Sequence, residues 1–267
     1  LKHIESPNNP RIKDLLKLQT KAKVRQDQQQ FVVEGVREIG LALQSGYTVV
    51  ECFYCKNLLS SEALFSFLGN YSNSISITSL SSKAYEKLAY RASTEGLIAL
   101  IQQKDHRLDA FVLKTKNPLL LVAESPEKPG NIGALLRTAD AASLDGVLIA
   151  NPKTDLYNSN VIRSSVGGIF TTPVAMGSTS EIIKFLKQRK ISIYAASLQS
   201  SLPYTDVSFE APTALVVGTE AEGLTHHWLE NASQNIHIPM EGKIDSMNVS
   251  VAAAVLIFEA KRQRKLN

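Results

Sequence analysis

No apolar run in this 267-residue chain approaches the roughly 20 residues that a membrane-spanning helix needs, and no secretory signal segment stands at its start. On that basis the protein is expected to be cytoplasmic. Cysteine is scarce, with two in all, and both lie in Cys52-Phe53-Tyr54-Cys55. A C-x-x-C pair serves redox or zinc chemistry elsewhere, but zinc needs a second ligand pair, which is missing. The surrounding stretch 47–54 is β-branched and aromatic, as strands are, and residues three apart on a strand face opposite ways. The pair is read as buried thiols, and no metal is expected. The dinucleotide fingerprint, the Walker lysine loop, the H-E-x-x-H helix and the nucleophile elbow are all missing too. Use of NAD, ATP or a metal by those routes is therefore excluded. His226 and His227 are adjacent, so one helix face cannot aim both at one metal, and surface positions are expected.

What is present is an ordinary globular balance, 44% hydrophobic and 20% charged. The length suffices for one large domain or two modest ones with real cores. The net charge is +4 and the pI near 8.9. The opening segment carries Lys2, Arg11, Lys13, Lys17, Lys21, Lys23 and Arg25 against Glu5, Asp14 and Asp27, and the chain ends with Lys261, Arg262, Arg264 and Lys265. Both runs suit phosphate contacts. Both also fit a solvated helix face and a basic helix C-terminus that complements its dipole.

Two units are expected. Helical spacing over 6–24, a strand at 31–35, a helix over 37–45 ending at Gly46 and a strand at 48–54 begin the first. A helix near 61–68, a strand at 75–77, a helix over 81–90 and a strand at 97–101 complete a compact α/β domain. Polar residues over 102–117 mark a junction, so the expected division is a domain over 1–103, a linker over 104–117 and a second domain over 118–267. That second domain has continuous apolar strands at 119–123, 147–150, 191–195, 214–217 and 236–238, with helices such as 131–142 and 180–189 between them. Such strands, covered on both faces, imply a parallel sheet. Ligands of such sheets collect at the C-terminal strand ends, here the loops after residues 123, 195, 217 and 238.

Three stretches at those ends hold candidate chemistry. Pro129-Gly130-Asn131-Ile132-Gly133, with Arg137 one turn beyond Gly133 on the same face, opens a helix for which Asn131 is the expected cap. In the plainer account Asn131 only caps, Gly133 only packs and Arg137 only pairs with Asp140. Gly218-Thr219-Glu220-Ala221-Glu222-Gly223-Leu224 brings a carboxylate to a strand tip between two turns. In the plainer account Gly223 is a turn glycine and Glu220 a helix-dipole partner. Ile238-Pro239-Met240 leads through a polar loop to Ser246-Met247-Asn248-Val249-Ser250, with a helix expected from Ser246.

Together these stretches resemble the three ordered motifs of the SpoU (TrmH-type) branch of the SPOUT RNA methyltransferases, with matching spacing across 118–267. Ser6-Pro7-Asn8-Asn9-Pro10-Arg11-Ile12-Lys13 with Phe31-Val32-Val33-Glu34-Gly35 resembles the family's appended L30e-like substrate domain. The resemblance implies a SPOUT-type parallel sheet with a C-terminal trefoil knot, preceded by that smaller α/β domain, and a homodimer. It implies transfer of a methyl group from S-adenosylmethionine to a ribose 2′-hydroxyl of rRNA or tRNA. Arg137 matches the motif-one arginine, expected beside the ribose and its phosphate; whether it acts as base or only orients the hydroxyl stays open, though its high pKa argues against an easy base. Asn131, Glu220, Ser246 and Asn248 match the other polar positions of the catalytic site. The implied cofactor contacts are Ala196, Ser197, Leu198, Val217, Gly218, Glu220, Gly223, Ile238, Met240, Met247 and Asn248, with Met247 standing where the family usually has leucine. The implied RNA contacts are Arg11, Lys13, Arg37, Arg137, Arg163 and Ser165, the last two within an Arg-x-Ser-x-Gly element ending at Gly167. A different class remains open: a non-catalytic RNA-binding or ribosome-assembly factor on the same fold. So does a small-molecule α/β enzyme whose basic patches are incidental.

Overall fold

A computed structural model describes residues 2–90, 95–219, 222–244 and 246–265. The chain divides into two compact units, Leu1–Lys104 with Tyr157–Ile162, and Asp105–Leu156 with Arg163–Asn267.

The first unit contains β1 (Lys2–Ile4), α1 (Pro10–Thr20), α2 (Ala22–Gln28), β2 (Gln30–Glu34), α3 (Val36–Gln44), β3 (Val49–Cys55), α4 (Ser61–Leu68), β4 (Ser76–Leu80), α5 (Ser82–Leu88) and β5 (Leu97–Gln102). Among the described residues its strands form a five-stranded sheet in the order β1-β4-β3-β5-β2. β1 and β3 run parallel to β4, whereas β5 is antiparallel to β3 and β2. The helical spacing over 6–24 resolves into two helices, because Lys21 between them is extended (φ −117°, ψ 110°). Buried Arg25 donates to the carbonyls of Leu18 and Gln19. Those carbonyls have no partner within α1, so Arg25 supplies one and stabilises the break. Ile12, Leu15 and Leu18 pack with Val32, Phe53, Cys55, Leu80 and Leu100 in one buried cluster. Both cysteines are free and buried. That cluster includes Phe53 and Cys55 but not Cys52, as strand alternation requires. Burial, with a smaller push from Glu51, raises the Cys52 thiol to about 12.

The second unit brings β6 (Leu119–Glu124), α6 (Pro129–Ala141), β7 (Gly146–Ala150), α7 (Ser159–Ser165), whose residues 159–162 count with the first unit, α8 (Gly168–Thr171), β8 (Val174–Gly177), α9 (Thr179–Gln188) and β9 (Ser192–Ala196). β10 (Leu202–Pro203), β11 (Thr213–Val217), α10 (His226–Asn231), β12 (Gln234–His237) and α11 (Val249–Lys265) follow. Among the described residues the sheet order is β10-β12-β9-β11-β6-β7-β8, and every pairing is parallel. β6, β7 and β11 are buried along their whole length, which is why they read as continuous apolar runs. Leu120, Val122, Leu148 and Val216 pack with Ile182 and Leu186 of α9 and Trp228 of α10. α11 packs on α6 and β11. α6 buries Ile132, Leu135, Leu136 and Ala139, a spacing that makes one apolar face; each buried Leu or Ile contributes roughly 1.5–3 kcal/mol. Among the described residues no helix is long and apolar enough to cross a membrane.

Candidate active site

β12, β9, β11 and β6 are neighbours, so their C-terminal ends share one edge of the sheet. The register sets Ala123 of β6 beside Val217 of β11, and Ala195 of β9 beside Val216. Ala196 faces Ile236 of β12, and the Ser197 N–H donates to the Ile236 carbonyl at 2.9 Å. Half-buried Ile238 follows the end of β12 directly. Beyond Val217 the chain doubles back. The Thr219 N–H donates to the Gly223 carbonyl at 3.0 Å, and the Gly223 N–H to the Thr219 carbonyl at 3.1 Å. Gly223 takes φ +70°, a conformation that glycine adopts without steric penalty. The turn lies so close over Gly218 that a Cβ there would stand 2.2 Å from the Gly223 carbonyl carbon and oxygen. Glu220 lies outside the described residues.

α6 starts two residues earlier than the sequence suggests. Pro129 is its first residue, and Lys128 caps it without a side-chain hydrogen bond. Proline suits this position because its φ is already helical and its missing N–H would have had no partner. Asn131 is therefore inside the first turn, and its side chain reaches outward instead of capping. The Asn248 Nδ2 donates to the Asn131 Oδ1 at 3.2 Å. The Asn248 Oδ1 accepts from the Ser250 N–H at 3.0 Å and the Ser250 hydroxyl at 2.6 Å. That is the bonding of an N-cap, and it explains why α11 begins at Val249 rather than Ser246. Arg137 is exposed further along α6. Asp140 accepts from the Thr171 hydroxyl instead of pairing with it, and no described residue hydrogen-bonds or ion-pairs with the Arg137 guanidinium.

A cleft of about 290 Å³ gathers Ala123, Pro126, Asn131, Leu135, Gly218, Thr219 and Val249, together with the charged Glu127, Lys128, Lys153 and Glu222. Lys153 donates to Glu127 at 2.6 Å. That contact holds the Glu127 carboxyl below its ordinary range and the Lys153 ammonium above it, with Glu222 adding to the latter. Of the expected site residues the cleft brings together Asn131 and Gly218, with Asn248 adjoining through Val249. Arg137, Ala196, Ser197, Val217, Gly223, Ile238, Met240, Ser246 and Met247 are not among its lining residues. Leu198 is 66% exposed, and Met240 and Ser246 are exposed as well. Lys153 was missed, although the strand-end rule that led to the other loops applies equally to the end of β7.

The expected RNA contacts divide. Lys13, Arg37 and Arg163 are exposed. Arg11 forms an ion pair with Glu51 at 2.6 Å and lies over the Phe53 ring, so its guanidinium is engaged within its own unit. Ser165 is 1% exposed, and that burial keeps its hydroxyl from solvent and from RNA.

The SpoU rRNA methylase family profile matches residues 118–258, and the MRM3-like substrate binding domain profile matches residues 9–99. The chain belongs to the SpoU rRNA methylase family. It is 30% identical over 261 residues to the 23S rRNA (guanosine(2553)-2′-O)-methyltransferase RlmP of Bacillus subtilis strain 168, covering 98% of this chain and 100% of that protein. A solved RNA 2′-O ribose methyltransferase is similar at 38% identity with a TM-score of 0.84, over 98% of this chain and 99% of that one. The SpoU methyltransferase AviRb of Streptomyces viridochromogenes, in complex with AdoMet, is similar at 26% identity with a TM-score of 0.86, over 97% and 99%. In this chain the methylase profile falls on the unit with the SPOUT-like parallel sheet, and the substrate-binding profile on the smaller α/β unit before it.

Proposed function

We propose that the protein is an S-adenosylmethionine-dependent methyltransferase that modifies a ribose 2′-hydroxyl of ribosomal RNA. The observation that carries this is the meeting of Asn131 with Asn248 beside Gly218 at the strand ends, in a SpoU family chain. The 23S rRNA specificity of the Bacillus relative and the AdoMet bound to AviRb support the substrate and the cofactor. Small or apolar side chains and backbone groups at adjacent strand ends suit an adenosine and a methionine chain. The contacts proposed for the cofactor are Ala196, Ser197, Leu198, Val217, Gly218, Glu220, Gly223, Ile238, Met240, Met247 and Asn248. The cofactor, when bound, supplies an electrophilic methyl group.

The protein's own task is to align a poorly nucleophilic hydroxyl and ease the loss of its proton. The unengaged guanidinium of Arg137 supports orienting the ribose hydroxyl and the neighbouring phosphate. Asn131, Ser246 and Asn248 hold the nucleotide. Lys13, Arg37 and Arg163 take RNA phosphates, residues 1–103 select the RNA, 104–117 link, and 118–267 methylate. The packing of α11 onto α6 and β11 supports a knotted C-terminus. Val251 and Phe258, about half exposed and on one face of α11, support a homodimer, and a ribosomal substrate supports action in the cytoplasm.

The test is methylation of ribosomal RNA by the wild type and by Arg137→Ala. The variant should fold within about 0.5 kcal/mol of the wild type, as exposed substitutions do, bind cofactor, and lose at least about a hundredfold in rate. Full activity in Arg137→Ala would remove it from the site.

A further inference from the structure

Beside Ala123, which lines the cleft, stands a buried acid that the reaction as described does not use. Glu124 is the last residue of β6 and is 2% exposed. Its Oε2 accepts from the Thr225 N–H at 2.9 Å. Its Oε1 accepts from the Thr225 hydroxyl at 2.9 Å and the Thr179 hydroxyl at 3.0 Å. Thr179 is joined in turn to Asn151, whose Nδ2 donates to the Thr179 hydroxyl at 2.9 Å and whose Oδ1 accepts from the Thr179 N–H at 3.2 Å.

Glu124, Asn151 and Thr225 adjoin the loops that form the cleft walls, and Thr179, the first residue of α9, joins Glu124 to Asn151. Glu124 itself leads into Pro126, Glu127, Lys128 and Asn131. Asn151 leads into Lys153, and Thr225, the N-cap of α10, stands two residues beyond Gly223, which closes the turn with Thr219. Ser125 (φ +46°) and Asn151 (φ +49°), the residues just beyond β6 and β7, hold a left-handed backbone without being glycine. L-residues keep that conformation only where their surroundings impose it. Their N–H groups are tied down, Ser125 to the Ala150 carbonyl and Asn151 to the Gly177 carbonyl, both at 2.8 Å.

We infer that Glu124 is a positioning residue: its carboxyl group clamps the loops after β6, β7 and β11 into the single arrangement that forms the cleft. It touches neither RNA nor cofactor and acts through Thr225 and Thr179. Only the kinetic consequence rests on the methyltransferase reading.

Glu124→Gln keeps size and shape but leaves one accepting oxygen where there were two, so the Thr225 N–H and the two threonine hydroxyls can no longer all donate to it in this geometry. Thr225→Val removes one donor, and Thr225→Ser retains it. Amide hydrogen exchange on the full chain, with neither cofactor nor RNA, is read first. Exchange in the described part of 218–225 should quicken about tenfold or more in Glu124→Gln while the cores of β6 and β11 keep their protection. Thr225→Val should move the same amides, and Thr225→Ser should leave them at the wild-type rate. In methylation assays the KM for S-adenosylmethionine should rise about tenfold in Glu124→Gln and keep its wild-type value in Thr225→Ser. Unchanged exchange, or protection lost uniformly through β6 and β11, would overturn the inference, since the acid would then do nothing or merely hold the core. A wild type that fails to methylate would defeat the reading of the site, while the exchange pattern would still decide the role of Glu124.

Discussion

Replacing Gly218 with alanine asks whether the turn after β11 can sit anywhere else. A Cβ at this position would lie 2.2 Å from the carbonyl carbon and oxygen of Gly223 and 2.5 Å from the Leu224 nitrogen. Carbon atoms in comfortable contact lie about 3.5–4.0 Å apart, so the two chain segments must separate by more than ~1 Å. No side chain can swing aside, because all three atoms are backbone. The separation pulls apart the paired Thr219–Gly223 hydrogen bonds, each worth about 0.5–1.5 kcal/mol. Overpacking costs about 1–3 kcal/mol by itself, and breaking the pair is how that strain would be relieved, so the two are alternatives. A net penalty of about 1–3 kcal/mol falling on the cofactor-binding arrangement corresponds to roughly a 5- to 150-fold loss of affinity.

Gly223→Ala is the matched control. A Cβ there meets nothing within 4 Å, so the penalty is conformational only, about 1–2 kcal/mol for a left-handed alanine, and Gly223→Asn should recover part of it. The assay is titration calorimetry with S-adenosylmethionine, on proteins whose folding is checked by thermal unfolding. Wild-type affinity in a folded Gly218→Ala variant would refute the steric argument. So would a Gly223→Ala variant more damaged than Gly218→Ala.

Three further outcomes are expected. Asn248→Ala removes the N-cap of α11 and should cost about 1 kcal/mol, read as a shift in denaturation midpoint; in a double-mutant cycle with Asn131→Ala the two costs should be non-additive, because the side chains share a bond. The native protein should resist thiol reagents at pH 8, since burial drives the Cys52 thiol to about 12 and Cys55 is buried; both thiols should react once the chain is unfolded, and fast labelling of the native state would contradict the strand placement. Hydrogen bonds from Arg262 and Gln263 depress the Glu259 carboxyl from 4.5 to about 2. A depressed acid stabilises the fold above its unfolded pKa and loses that contribution as pH falls from about 4.5 toward 2. Screened by solvent, the contribution is about 0.5–1 kcal/mol, and urea titrations of wild type and Glu259→Gln should differ at pH 6 and converge near pH 2.

Local pattern and tertiary meeting explain what could be read beforehand. β11 was legible because a fully buried parallel strand has to be apolar at every position, and α6 because its buried residues recur at helical spacing. β1 escaped because three residues, Lys2-His3-Ile4, carry no period, and their partner Thr78–Leu80 lies far along the chain. Both helix starts were misjudged where two good signals compete: Pro129 against Asn131, and Ser246 against Asn248. Propensity ranks such pairs almost equally, and only the neighbour that each side chain meets decides between them. Glu124 had no local signal at all, since Thr179 and Thr225, 55 and 101 positions away, are what make it more than a polar strand end. The same topology explains why three stretches, each uninformative alone, could be read together. Strands β12, β9, β11 and β6 are neighbours in the sheet but not in the chain, so residues at their ends converge only if all of them are present in that order. The spacing of the ordered motifs is therefore a record of strand order, and strand order is what brings Asn248 to Asn131.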